Sequence, residues 1–198
     1  MGDSDLSLAA RAAQFQALLA TCEFTDGRQT RLAGDDGILR AMQLLRQARE
    51  HGSSVYIVGN GGSAGVASHA TTDFVNVAKL RAQTVHDPSI LTCMSNDYGY
   101  ENGFARILAQ LARPGDVLIA ISSSGKSQNI RNAADTVKQN GGTVLTLSGF
   151  DRDNPLRRLG ELNVWLDSRD YGFVEIGHQF VLHNIADRFG RELRKDRA

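Results

Sequence analysis

The sequence predicts one α/β domain over residues 1–198, a three-layer α/β/α sandwich on a doubly wound parallel sheet of roughly five strands. Short apolar runs alternate with amphipathic helical segments, which is typical of βαβ units. The run VLIAI at 117–121 is apolar at every position, as expected for a strand buried on both faces. A chain of 198 residues is long enough to bury one full hydrophobic core.

The predicted elements can be placed by hydrophobic periodicity. Two amphipathic helices, at 5–22 and 38–50, form an N-terminal helical extension (1–51) for packing or oligomerisation, with a polar break between them. The α/β sandwich occupies 52–198. Its predicted strands are 55–58, 90–94, 117–121, 143–147 and 162–166, and its later helices are 101–112, about 127–140 and 172–193.

Composition and charge exclude several classes of protein. Apolar residues make up 41% of the chain and charged residues 22%, which argues against disorder. Lys and Arg number 22, as do Asp and Glu, so the zero net charge argues against bulk binding to nucleic acid or an anionic membrane. Cys22 and Cys93 show no metal or disulfide spacing, so we expect a cytoplasmic protein. The N-terminal residues have no basic start and no long apolar core, so we expect neither a signal peptide nor a bilayer-spanning run.

A glycine-rich turn, GNGGS at 59–63, follows the strand at 55–58 and precedes a helix. This layout can grip a phosphate, because free N–H groups at a helix start point toward the anion. His69 and Asp73 are four residues apart on that helix, so they share one face. The turn predicts a phosphate grip beside a His/carboxylate pair.

Two other interpretations of this turn remain open. Gly59, Gly61 and Ala64 fit a loose dinucleotide-binding fingerprint, but the acidic residue expected about 20 positions later is late, at Asp97. A tight strand-to-helix turn without a ligand fits as well.

A serine-rich loop, SSSGKS at 122–127, follows the strand at 117–121. Several hydroxyls and free backbone N–H groups together make a concave anion site, although one serine is expected to be the N-cap of the next helix. The loop ends like a P-loop, but Ala120 stands where that motif requires glycine, which excludes an NTPase. A neutral, hydroxyl-lined loop suits a monophosphate.

A possible metal or acid/base set comes from residues far apart in sequence. His69, Asp73 and His183 are ligand types for zinc or another divalent ion. Glu175 lies eight residues before His183, roughly 12 Å along a helix, and is the weakest member. A solvated i,i+4 pair at 69 and 73 is the alternative, and His178 fits a structural role.

Five segments together resemble the sugar isomerase (SIS) domain family, and within it the bacterial phosphoheptose isomerases. They are GNGGSAGVASHATTDF, SNDYG, ISSSGKSQNI, TLSGFD and VEIGHQFVLH. The resemblance implies a homotetramer with sites between subunits, and ketose–aldose interconversion of sedoheptulose 7-phosphate through an enediol.

The resemblance also implies roles for individual residues. Asp73 and His183 would transfer the proton, and zinc would be held by His69, Asp73, Glu175 and His183. The substrate would be contacted by Asn60, Gly61, Ser63, Asp97, Ser122, Ser123, Ser124, Ser127 and Glu175.

The chain departs from the family pattern at four positions. Asp73 replaces a glutamate, Glu175 a glutamine, Val77 or its neighbour Asn76 a basic residue, and Gly172 an acidic residue. These departures leave the sugar and the metal open. The alternatives are an isomerase of a related phosphorylated sugar, or a non-catalytic SIS protein that binds a sugar phosphate or a replication initiator.

Overall fold

The computed structural model describes residues 6–195. Its strands are β1 (Glu23–Asp26), β2 (Arg31–Leu32), β3 (Ser54–Val58), β4 (Arg81–Gln83), β5 (Val117–Ser122), β6 (Thr143–Ser148) and β7 (Leu162–Trp165). Its helices are α1 (Leu8–Ala20), α2 (Gly34–Glu50), α3 (Gly62–Asn76), α4 (Pro88–Tyr98), α5 (Gly103–Leu111), α6 (Gln128–Gln139) and α7 (Tyr171–Lys195). Short 3₁₀ turns occupy Tyr100–Asn102 and Pro155–Arg158.

The seven strands form one sheet in the order β2-β1-β7-β6-β5-β3-β4. The five strands from β3 to β7 are parallel, which confirms the predicted five-stranded parallel sheet. The hairpin of β1 and β2 was not predicted. It extends the sheet because β1 pairs antiparallel with β7, placing Glu23 opposite Trp165. The N-terminal segment is therefore not purely helical.

Helices cover both faces of the sheet, as predicted. One apolar cluster joins the sheet to α2, α3 and α7 and contains Met42, Phe74 and Phe189. A second cluster, with Phe104 and Ile130, joins the other face to α5 and α6. These side chains are at most 1% exposed, and each buried side chain of this size contributes about 1.5–3 kcal/mol. No helix within residues 6–195 has the length and apolar character needed to cross a membrane.

The predicted strand at 90–94 is wrong, because these residues lie within α4. The Asp87 carboxylate accepts hydrogen bonds from the N–H groups of Ser89 and Ile90, at 3.0 and 3.1 Å, and Pro88 fixes the first helical residue. This Asp-Pro start signal outweighs the apolar run. The fifth parallel strand of the sheet is instead β4, a short edge strand without an apolar pattern.

The order of the parallel strands creates a switch point between β3 and β5. The chain runs outward from β3 to β4, then returns to β5 on the other side and continues to β6 and β7. The loops that leave β3 and β5 therefore diverge, and the crevice between them is the usual ligand position in such a sheet. Both predicted binding loops, 59–63 and 122–127, lie at this point.

Candidate active site

A cleft of about 150 Å³ lies at the carboxyl ends of β3 and β5. It brings together the four predicted serines, two residues of the glycine turn and the predicted substrate contact on α7. The lining residues are Asn60, Ser63, Ile121, Ser122, Ser123, Ser124, Ser127, Tyr171 and Glu175. The cleft is thus polar, neutral on the loop side and acidic on the α7 side.

The glycine turn connects β3 to α3 in the space of three residues. A Cβ on Gly59 would lie 2.5 Å from the carbonyl oxygen of Ser63, so a side chain cannot fit there. Gly61 has φ of +53°, a backbone conformation that favours glycine. Gly61 is exposed and does not line the cleft, whereas Asn60 and Ser63 do. The turn therefore aims those two side chains at the cleft.

The serine loop has free hydrogen-bonding capacity. Ser122 Oγ donates to Ser127 Oγ at 3.1 Å, whereas Ser123 Oγ is buried and has no hydrogen-bond partner among residues 6–195. Ser127 is the N-cap residue of α6, as expected for one of the serines, but its hydroxyl makes no capping bond. The N–H groups of Gln128 and Asn129 at the start of α6 are therefore left for an anion, which the helix dipole favours.

The shape of this loop depends on Gly125. This residue has φ of +65°, and a Cβ on it would lie 1.9 Å from Asn154 Oδ1. The neighbouring Lys126 points its ammonium group at Asp151, at 2.7 Å, and Arg169 pairs with the same carboxylate. The hydrogen bond from Lys126 and the charge of Arg169 hold the pKa of Asp151 below its usual value. Within the described chain, no cationic side chain lines the cleft.

A second group of functional side chains lies further along α3 and α7, which pack against each other. Asp73 Oδ2 lies 2.9 Å from His183 Nδ1 and 3.6 Å from His69 Nε2. The two imidazole rings meet edge to face, with centroids 4.9 Å apart. The potential ligand atoms of His69, Asp73 and His183 all lie within 4.8 Å of one another. The structure thus assembles the predicted His69/Asp73/His183 set, and the i,i+4 pair is part of a larger cluster.

The geometry of this cluster fits a metal ion. Asp73 Oδ2 is buried, and its approach to His183 lacks the angle of a hydrogen bond, so it has no donor within residues 6–195. Nitrogen and oxygen ligands about 2.0–2.1 Å from a tetrahedral zinc ion lie roughly 3.3–3.4 Å apart. The two measured separations bracket that value. A buried carboxylate oxygen between two imidazole nitrogens is the donor set that zinc prefers.

Glu175 is not part of this cluster, contrary to the expectation that it would join the metal ligands. Its carboxylate packs against Gly62, where a Cβ would lie 2.2 Å from a carboxylate oxygen. Gly62 and Asp73 are 11 residues apart, roughly 16 Å along α3. Glu175 therefore lies in the cleft, and its second predicted role, contact with the substrate, stays a prediction.

Two further acidic residues, Asp97 and Asp170, do not line the cleft. Asp97 is exposed on α4, accepts a hydrogen bond from Asn96 at 3.0 Å and does not line the cleft. Asp170, the acidic residue near Gly172, accepts from the N–H of Phe173 at 3.1 Å and pairs with Arg11 at 2.7 Å. Asp170 thus stabilises the start of α7 and anchors α1.

His178 has a structural environment, in agreement with its predicted role. It is fully buried, and its Nε2 lies 3.1 Å from the carbonyl oxygen of Ser148. Burial lowers the pKa of His178 to about 4, and the bond to Ser148 only partly offsets this effect. The ring is therefore neutral at physiological pH and donates one hydrogen bond to β6.

Three polar residues beside the cleft were missed. Asn129 is 2% exposed and exchanges two hydrogen bonds with Asn60, whose oxygen also accepts from the Tyr100 hydroxyl at 2.9 Å. Tyr171 lines the cleft at the first turn of α7. Asn129 follows Ser127 by two residues, so its place beside the serine loop was the available signal. The Tyr residues carried none.

The fold and the site define the class of protein. The sequence model of the SIS domain matches residues 27–149, which include both loops, and the chain belongs to this family.

Comparison with individual proteins narrows the relationship. The phosphoheptose isomerase of Citrifermentans bemidjiense is 34% identical over 182 residues, covering 89% of this chain and 93% of the relative. That of Mycobacterium tuberculosis is 33% identical over 169 residues, with 80% and 86% covered. The structure of a phosphoheptose isomerase from Francisella tularensis superposes with a TM-score of 0.82, at 24% identity and over 96% of this chain and 100% of that one.

Proposed function

We propose that this protein is a sugar-phosphate aldose–ketose isomerase that converts sedoheptulose 7-phosphate to D-glycero-D-manno-heptose 7-phosphate. The observation that carries the proposal is the pairing of His183 with Asp73 at 2.9 Å, on the same two helices that border a hydroxyl-lined cleft. Phosphoheptose isomerases similar over most of the chain support the same substrate.

The phosphate is proposed to bind at the serine loop. Hydroxyls of Ser123, Ser124 and Ser127, with the first N–H groups of α6, supply donors for its oxygens. Asn60, Ser63 and Glu175 line the same cleft and are proposed to contact the substrate beside them. The reacting carbons of a ketose 7-phosphate are at the opposite end of the carbon chain. The distance between the two ends of the substrate matches the separation of the cleft from His183, which lies roughly 12 Å from Glu175 along α7.

Proton transfer is assigned to Asp73 and His183. One group takes a proton from C1 while the C2 oxygen gains one, which gives the enediol. Return of a proton to C2 and loss of the O1 proton then give the aldose. A carboxylate and an imidazole in contact can serve as base and acid in this sequence, because each can hold the proton between the two steps.

We infer that the His69/Asp73/His183 cluster also holds one zinc ion per chain. The orphaned Asp73 oxygen supports this assignment. A bound ion would polarise the sugar oxygens at the reacting carbons. Elemental analysis of the purified protein, with a His69→Ala variant as control, checks metal content independently of turnover.

A cytoplasmic homotetramer with sites between subunits completes the proposal. Exposed apolar side chains on α1 and α7 support an assembly: Leu8 is 87%, Ile176 58% and Phe180 50% exposed. Surfaces of this kind are typical of interfaces.

The test is isomerisation in deuterium oxide. Pure protein is incubated with sedoheptulose 7-phosphate, with and without a chelator, and the product is examined by NMR. We expect aldose product with deuterium at the carbon that receives the solvent-exchanged proton, and a slower reaction with chelator. The absence of both product and deuterium uptake would exclude the heptose assignment. A panel of other sugar phosphates then tests related substrates.

The non-catalytic alternative is tested by His183→Ala. General acid–base catalysis contributes about 10²–10⁴-fold, so turnover should fall by at least 100-fold while substrate affinity is retained. His51→Ala, an exposed histidine on the far end of α2, is the matched control. Equal rates in the two variants would remove the acid/base role.

A further inference from the structure

The two loops at the switch point are joined by a pair of side-chain amides. Asn60 Nδ2 donates to Asn129 Oδ1 at 2.9 Å, and Asn129 Nδ2 donates to Asn60 Oδ1 at 2.8 Å. Asn60 belongs to the glycine turn after β3, and Asn129 is the second residue of α6, after the serine loop. We refer to this pair as the amide clasp. It fixes one wall of the cleft relative to the other.

A backbone donor determines which way the clasp is oriented. The N–H of Ile130 donates to Asn129 Oδ1 at 3.0 Å, and an amide N–H can only donate. The oxygen of Asn129 must therefore lie on that side, and its NH₂ group must face Asn60 Oδ1. Asn129 is 2% exposed, so water does not offer an alternative partner for the flipped amide.

Tyr100 completes the bonding of Asn60. Its hydroxyl donates to Asn60 Oδ1 at 2.9 Å. An amide oxygen has two lone pairs, and both are now used, by Asn129 and Tyr100. Of the two N–H bonds on Asn60 Nδ2, one is used by Asn129. Asn60 lines the cleft, so a single N–H remains with which it can contact a ligand.

We propose that Asn129 and Tyr100 are positioning residues that restrict Asn60 to one task, the donation of one hydrogen bond to an oxygen acceptor of the substrate. This rests on the proposed isomerase function. The acceptor is either a phosphate oxygen or a sugar oxygen, and both need the same donor. Asn60 held in this way cannot accept a hydrogen bond from a sugar hydroxyl, since its oxygen is saturated.

The matched pair of variants is Tyr100→Phe and Tyr98→Phe. Both tyrosines are exposed and lie two residues apart, Tyr98 at the end of α4 and Tyr100 at the start of the following turn. The ring of Tyr98 packs under Arg106, a contact that phenylalanine retains. Loss of one neutral hydrogen bond should weaken sugar-phosphate binding about three- to tenfold in Tyr100→Phe and leave Tyr98→Phe unchanged. Asn129→Asp, which keeps the acceptor for Ile130 but removes the donor to Asn60, should weaken binding by more.

A double-mutant cycle distinguishes positioning from general stability. Calorimetry measures the affinity for sedoheptulose 7-phosphate in wild type, Tyr100→Phe, Asn60→Ala and the double variant. If Tyr100 acts through Asn60, its substitution has no further effect once Asn60 is alanine. An undiminished effect of Tyr100→Phe in the Asn60→Ala background, or equal affinities of Tyr100→Phe and Tyr98→Phe, would overturn the proposal.

Binding of inorganic phosphate shows which substrate oxygen accepts the hydrogen bond from Asn60. If Asn60 contacts the phosphate group, Tyr100→Phe weakens binding of inorganic phosphate as well. If it contacts a sugar oxygen, only the affinity for the sugar phosphate changes. A wild-type protein that binds but does not turn over the ketose would refute the isomerase function while leaving this cycle interpretable.

Discussion

His178 shows how one buried side chain ties stability to pH. In the unfolded chain this histidine takes up a proton near pH 6.5, whereas the pKa in the fold is lowered to about 4 by burial. Between these values the unfolded state binds more protons. The stabilising effect of the neutral ring is therefore complete above pH 6.5 and is lost as the pH falls toward 4.

We expect the free energy of unfolding to fall by up to about 1.4 kcal/mol per pH unit below 6.5 because of this residue. His178→Gln keeps a donor for the Ser148 carbonyl but does not titrate, so its stability should depend less steeply on pH. Urea unfolding at pH 5, 6 and 7 measures the slope, with His51→Gln as the exposed control. Identical slopes in His178→Gln and wild type would contradict this assignment.

At the scale of elements, the serine loop is held by its backbone as much as by its hydroxyls. Gly125→Ala puts a side chain at φ of +65° and drives its Cβ into Asn154, which is 1% exposed and cannot move into solvent. The loop must then shift, and the donors that we propose for phosphate shift with it. We expect the affinity for inorganic phosphate to fall by at least about tenfold, a change of roughly 1.4 kcal/mol.

Gly65→Ala is the matched control for this variant. A Cβ on Gly65 meets no atom within 4 Å, and alanine is the better helix former in α3. Its phosphate affinity should equal that of wild type and its melting temperature should be equal or higher. The role of Gly125 would be refuted if calorimetry gave both variants the same affinity for phosphate.

How far an element could be predicted depended on how it is buried. The strands β3, β5, β6 and β7 are at the centre of the sheet and are buried on both faces, so their sequence runs are mostly apolar and easy to recognise. By contrast, β4 is an edge strand of three residues, and an edge needs no apolar pattern. The apolar run in α4 misled because none of its residues is buried in the fold, and Ile90 is 48% exposed.

The candidate site, too, could be predicted from the sequence only in part. His69 and Asp73 could be paired from their spacing alone, because the helix sets their separation. No local pattern links α3 to α7, so His183 could be added to the pair only on its ligand type, and the resemblance to the family then implied its role. The amide clasp could not be predicted, because the place of Asn129 beside the serine loop does not show which partner it contacts, and Tyr100 gave no signal at all.

At the scale of the whole molecule, the exposed apolar face of α7 predicts self-association. Phe180 is half-exposed and packs edge to face on Phe15 of α1, with centroids 6.4 Å apart. If the proposed assembly uses this face, Phe180→Asp places an unpaired charge in the interface at a cost of several kcal/mol. We expect light scattering to show a tetramer for wild type and smaller species for this variant, with a parallel loss of turnover.

Leu111→Asp is the control for that substitution, since Leu111 is similarly exposed but lies on α5, on the other side of the sheet. It should leave the assembly unchanged. A monomeric wild type, or equal assembly of Phe180→Asp and wild type, would refute the interface on α7.

The pairing of β1 with β7 has a consequence for how the chain is made. Glu23 lies beside Trp165 in the finished sheet, and its carboxylate is held by Arg152 and Arg157, which come from the same late part of the chain. During synthesis β1 therefore leaves the ribosome well before β7 does. Until then the β1–β2 hairpin has no sheet edge to join, and Glu23 lacks its two arginine partners. The hairpin is therefore fixed to the sheet only after β7 is available, and we expect the closing of so long a loop to be a slow step in folding.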